Sequence, residues 1–191
     1  MNVNELPEHL GGHLDRTHVD QGAFDFITTK YSITSMIDIG CGPGGMYHLA
    51  KAADIDWRGI DGDYTLKHSE EIKSLVTIHD FANIGNPGPM LDHQFDLAWS
   101  VEFLEHVEER YVPNFMRMFK LAQYAVVTAA PPGAGGHHHV NCRLEDYWIG
   151  VFAANNFRYD HKTSMELRKK STMMKGFMAR TGMFFEKYHD C

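Results

Sequence analysis

The sequence has no run of eighteen apolar residues, so no membrane-spanning helix and no membrane partner are expected. Cysteine is confined to Cys41, Cys142 and Cys191, an odd number without CxxC spacing. That argues against a disulfide framework and for a reducing compartment. Cations are in the minority: 18 Lys and Arg stand against 25 Asp and Glu, a net charge of -7. Such a balance argues against a general polyanion binder, and so against nucleic acid as a partner. The first residues, MNVNELPEHLGG, hold no basic stretch leading into an apolar run, and the expected location is cytoplasmic. Internal repeats and low-complexity tracts are absent.

What remains is an ordinary globular composition, 43% hydrophobic and 12% aromatic. A length of 191 residues suits one domain with a sizeable core. Residues 1–191 are expected to form that domain, with 1–34 as a helical cap or lid and 35–191 as the core. Helical spacing marks residues 19–31, and buried-strand patterns mark 35–39, 57–60, 75–79, 95–100 and 124–129. Helices are expected over 44–53, 65–73 and 144–155 and within 113–123, and a loop at GNPGP (85–89). Short strands are expected at 157–159 and 183–187, with a Lys/Arg-rich helical stretch between them. Strands alternating with helices predict a largely parallel α/β sheet.

The densest signal is MIDIGCGPGG, residues 36–45, where a strand runs into four glycines within six residues. Glycines there let a backbone approach a nucleotide cofactor closely. Gly40, Gly42 and Gly45 satisfy GxGxxG, whereas Gly40, Gly42 and Gly44 satisfy GxGxG, so the glycines alone do not choose between cofactors. Asp38 is awkward beside a pyrophosphate but suits an ammonium and a sulfonium. Asp61, in RGIDGD, lies 21 residues beyond Gly40, the spacing of a ribose-binding carboxylate. Asp80, followed by Phe81, is placed to accept from an adenine amino group. Cys41 reads as a small loop residue rather than a nucleophile.

DIGCGPGG, GIDGD, HDF and FDLAWSVEFLEHV, taken in order, resemble the class I S-adenosylmethionine-dependent methyltransferases over roughly residues 19–160. The resemblance implies a three-layer Rossmann-like fold with a seven-stranded, mostly parallel sheet whose last strand is antiparallel. It implies S-adenosylmethionine as cofactor, with S-adenosylhomocysteine as product. Asp38, Gly40, Cys41, Gly42 and Gly44 would lie along its methionine part, Asp61 and Gly62 at the ribose, and Asp80 and Phe81 at the adenine. Ser100, ending the fourth strand, is grouped with this cofactor set. An NAD-dependent dehydrogenase also fits GCGPGG and Asp61, but leaves Asp38, Asp80 and EFLEH unexplained. A non-catalytic S-adenosylmethionine-binding module is a third reading.

Two clusters belong to the rim where the acceptor should sit. SVEFLEHVEE carries Glu102, Glu105 and His106, which a helix would bring together at i,i+3 and i,i+4. GGHHHVN carries His137, His138 and His139. Adjacent parallel strands would place both clusters on one rim. There His106, His138 and His139 are the candidate catalytic bases. Glu102, Glu105, His106 and His139 would be ligands for a possible divalent metal. Glu-x-x-Glu-His followed by a histidine also resembles the metal set of small-RNA 2′-O-methyltransferases, which makes RNA ribose the alternative acceptor. In this reading histidine protonation sets the acid limit of metal binding, near pH 6. The expected acceptor is a small molecule or a saccharide hydroxyl. Residues 144–157 are expected to help form its pocket, the basic segment 166–180 to meet an anionic acceptor or to be a solvated face, and His18 and Asp20 to belong to a lid.

Overall fold

The computed structural model describes residues 6–13, 15–83, 88–89 and 93–188. Among them seven strands form one sheet: β1 (Ser35–Ile39), β2 (Asp56–Asp61), β3 (Val76–Ile78), β4 (Phe95–Ser100), β5 (Ala122–Val127), β6 (Phe157–Tyr159) and β7 (Met183–Lys187), in the order β3-β2-β1-β4-β5-β7-β6. β3, β2, β1, β4 and β5 pair in parallel, and β7 runs antiparallel to both β5 and β6. The expected α/β sheet with its antiparallel last strand is therefore present.

Alternation along the central strands builds the layers, because successive side chains point to opposite faces. Met36, Leu97, Trp99, Val126 and Phe184 pack on one face with α1 (Gln21–Tyr31), α2 (Met46–Ala52), α5 (His161–Lys170) and α6 (Phe177–Thr181). Ile37, Ile39, Ala98, Val127 and Phe185 pack on the other with α3 (Val112–Phe119) and α4 (Glu145–Ala153). Burial on both faces explains why these strands read as nearly continuous apolar runs. Asp20 caps α1, accepting from the Ala23 N–H at 3.1 Å, and also accepts from Ser171 Oγ at 2.5 Å and from the Thr172 N–H at 2.8 Å. It is fully buried in this tether and so takes no part in a lid.

One expectation changes. Residues 65–73 form no helix. Ile72 is their only buried side chain, so an apolar stripe is missing, and the stretch is fastened by His68 Nε2 donating to the Gly42 carbonyl at 2.9 Å. The helix expected within 113–123 is α3, which stops at Phe119 because Ala122 already pairs with Phe95 in the sheet. Of GNPGP, residues 85–87 lie outside the described residues.

Candidate active site

Strand order reverses direction between β1 and β4, and the carboxyl ends of strands at such a point open a crevice. A cleft of about 420 Å³ lies there. One wall holds Asp38, Gly40, Cys41, Gly42, Asp61, Gly62, Asp80 and Phe81. Gly40 turns the chain out of β1 at φ +75, and a Cβ there would come within 2.6 Å of the Phe103 ring. Asp61, ending β2, accepts from the Gly42 N–H at 2.7 Å and the Asp63 N–H at 2.9 Å. It thereby holds the glycine turn while each oxygen keeps a lone pair for a further donor. Asp80 accepts from the Ala82 N–H at 2.8 Å and from His9 Nε2 at 2.9 Å. Burial pushes the Cys41 thiol well up, which keeps it protonated.

Asp38 is buried, and its Oδ2 meets no hydrogen-bond partner. Burial pushes its carboxyl up to about 7; Asp61 adds to the rise and the Trp57 indole opposes it. An orphaned buried carboxylate beside a glycine turn fits a cationic ligand group. The sign of the linkage is fixed. The unfolded chain ionises this acid from about pH 4, whereas the folded chain keeps it neutral until about 7. Stability from this group is therefore full below pH 4 and lost as pH rises toward 7. The unliganded protein should accordingly show a thermal midpoint several degrees lower at pH 7 than at pH 5, and Asp38→Asn should make that fall measurably shallower. Equal slopes in the two proteins would show that Asp38 is not held neutral.

The opposite wall holds Glu102, Phe103, His106, His137 and His139. The helix expected through Glu102 is absent: Glu102 is left-handed at φ +53, and only Leu104–His106 form a short 3-10 turn. Thr128 holds this strained residue twice, accepting from its N–H at 2.9 Å and donating to its carboxylate at 2.8 Å. Strain of this kind gathers at functional sites. Glu105, His106 and His139 each place one ligand atom within 4.8 Å of the others. Glu102 is not in that cluster, its carboxylate being turned to Thr128. Both Glu105 oxygens are buried without a hydrogen-bond partner. Burial, then the Glu102 charge, pushes the Glu105 carboxyl up to about 8. Burial, then the field of His139, pushes His106 down to about 4. Glu105 therefore keeps its proton at neutral pH, while His106 stays unprotonated there. His139 Nδ1 lies 3.2 Å from the Ala134 carbonyl, which can only accept, so Nδ1 carries the proton and Nε2 the lone pair. Its ring occupies the space where a Cβ of Gly136 would stand, at 2.0 Å from Nε2.

Several expected residues lie elsewhere. Ser100 is buried and donates to the Ile39 carbonyl at 2.8 Å, tying β4 to β1 instead of lining the cleft. Gly44 makes room for Ile72 at 2.6 Å and is not in the wall. His138 is also outside the wall, turned toward His9 with ring centroids 6.2 Å apart. None of residues 144–157 reaches the cleft; Trp148 and Phe152 are fully buried in the core, where an aromatic helix face belongs.

A third side comes from the stretch expected as a cap or lid, of whose lining residues the sequence singled out His18 alone. His9, Leu10, His13, Arg16, Thr17 and His18 line the cleft. His9 bonds Asp80, His13 Nε2 bonds Asp63 at 2.9 Å, and Thr17 Oγ1 accepts from the Gly45 N–H at 2.9 Å. On the other wall His137 Nε2 donates to the Leu10 carbonyl at 3.1 Å. Among the described residues no helix is long and apolar enough to cross a membrane.

No protein-family model matches the sequence, and no curated protein does. Solved structures do match in fold. A TehB-like SAM-dependent methyltransferase from Corynebacterium glutamicum is 14% identical with a TM-score of 0.62, over 87% of this chain and 88% of that one. An O-methyltransferase from a trans-AT PKS multienzyme of Brevibacillus brevis, in complex with S-adenosylhomocysteine, is 13% identical with a TM-score of 0.60, over 87% and 70%. The cyclase SpnF is 14% identical with a TM-score of 0.60, over 89% and 82%. The layers, the strand order and these likenesses agree that the chain has the fold of the class I S-adenosylmethionine-dependent methyltransferases.

Proposed function

We propose that the protein is an S-adenosylmethionine-dependent methyltransferase acting on a hydroxyl of a small molecule or saccharide. The observation that carries this reading is Asp38, a buried acid with an unpartnered oxygen beside the Gly40–Gly42 turn, in one wall with Asp61 and Asp80. Asp38 would meet the ammonium of the methionine part, Asp61 the ribose hydroxyls, and Asp80 the adenine amino group. The bound cofactor supplies an electrophilic methyl on a sulfonium; the protein aligns the acceptor and excludes water. His139, with its lone pair on Nε2, is the candidate base that takes the acceptor proton, and His106 is the second, neutral through the physiological range. If a divalent metal is used, Glu105, His106 and His139 would hold it, and it would lower the acceptor's pKa. The unpartnered oxygens of Glu105 favour keeping that second reading.

The test is ligand-dependent melting. S-adenosylhomocysteine at about 100 times its dissociation constant should stabilise the fold by about 2.7 kcal/mol, a rise of roughly 5–10 °C at this size. NAD at the same concentration should leave the midpoint unchanged. A rise with NAD and none with S-adenosylhomocysteine would replace this reading with the dehydrogenase one.

A further inference from the structure

The basic segment 166–180 sends one cation into the cleft. Arg168 pairs with Glu145 at 2.5 Å and donates to the Gly182 carbonyl, bracing the fold. Lys169, Lys170 and Lys175 are exposed and do not line the cleft. Arg180, on α6, does line it. Among the described residues its guanidinium has no carboxylate within ion-pair distance. It donates one hydrogen bond, to the Lys175 carbonyl at 3.0 Å, and lies 5.4 Å from the centroid of the Phe177 ring.

That placement is on the acceptor side. Phe177, beside Arg180, also lines the cleft and meets the His18 ring edge-on at 5.0 Å. The guanidinium is near enough to Glu102 to help hold its carboxyl down against burial. The segment is anchored at its start by Ser171 and Thr172 on Asp20 and at its end by Arg168 on Gly182. The cleft also holds Arg16, whose charge acts on His18. A planar guanidinium presents paired donors that match a carboxylate or a phosphate.

We propose that Arg180 binds an anionic group of the acceptor, so that the substrate is a hydroxylated carboxylate or phosphate ester whose hydroxyl is turned toward His106 and His139. This rests on the methyltransferase reading above. The full chain is incubated with methyl-labelled S-adenosylmethionine and a small-molecule extract of the source cells. The labelled product should be retained on an anion-exchange resin. Arg180→Gln should lower the label transferred about tenfold or more, the range for a lost charged hydrogen bond, Arg180→Lys should restore part of it, and both should bind S-adenosylhomocysteine as the wild type does. A product that passes through the resin, or undiminished transfer by Arg180→Gln, would overturn the proposal. So would an equal loss of S-adenosylhomocysteine affinity, which would assign Arg180 to the cofactor's own carboxylate. Wild-type protein that binds S-adenosylhomocysteine but transfers no label would defeat the methyltransferase reading itself, a separable result.

Discussion

His139→Ala is expected to slow methyl transfer about 10²- to 10⁴-fold, the usual contribution of a positioned acid or base, with little change in S-adenosylhomocysteine affinity. The reason is geometric. The Ala134 carbonyl fixes the tautomer, Gly136 admits the ring, and Glu105 and His106 stand within 4.8 Å of it at the ligand atoms. His106→Ala should act similarly, since that ring is the closest aromatic neighbour of His139 on this wall, 4.9 Å between centroids. Single-turnover transfer and calorimetric binding measured on the same preparations separate the two effects. A variant of His139 that transfers at the wild-type rate would reduce the histidines to lining. Treating wild-type protein, purified without nickel, with EDTA divides the remaining possibilities. Loss of activity that divalent ions restore assigns the cluster to a metal, whereas full activity leaves His139 as the base.

Asp61→Ala should weaken S-adenosylhomocysteine binding about 10- to 100-fold, because hydrogen bonds to a charged group contribute roughly 1.5–3 kcal/mol each. Two losses coincide there. The ribose would lose its acceptor, and the Gly42 and Asp63 N–H groups, now at 2.7 and 2.9 Å from the carboxylate, would lose theirs. Asp80→Ala should cost less, since it removes one partner of an adenine amino group and, within the chain, frees one backbone N–H, that of Ala82, and the His9 ring, where Asp61→Ala frees two backbone N–H groups. Titration calorimetry ranks the two variants directly. An equal or greater loss at position 80 would mean that the cofactor lies differently in the cleft.

The strands were legible because burial on both faces leaves little choice of residue: β1, β4, β6 and β7 have the boundaries that alternation and β-branched or aromatic residues predict. That Asp38, Asp61 and Asp80 share one wall was legible for a related reason, since each lies at or just beyond the carboxyl end of a parallel strand. The acceptor wall was harder. Glu102 escapes helical spacing through a left-handed φ that only Thr128, 26 residues away, sustains. His138 is adjacent to two wall histidines, yet its own positive φ of 47 turns it aside. Ser100 looked like a site residue because it ends β4, but its hydroxyl is consumed inside the sheet. The N-terminal stretch has no periodicity at all; its position is written in His9–Asp80 and His13–Asp63, pairs 71 and 50 residues apart, and no local pattern announces such contacts.

Those pairings have a consequence for traffic. His9, His13 and Thr17 are fastened to Asp80, Asp63 and Gly45 on one wall, and Leu10 to His137 on the other. A strap tied to both banks has to be loosened before anything long leaves between them. Under the proposed function, exchange of a spent nucleoside would share a step with the release of the opposite bank, and where chemistry is fast that release would set the rate of turnover.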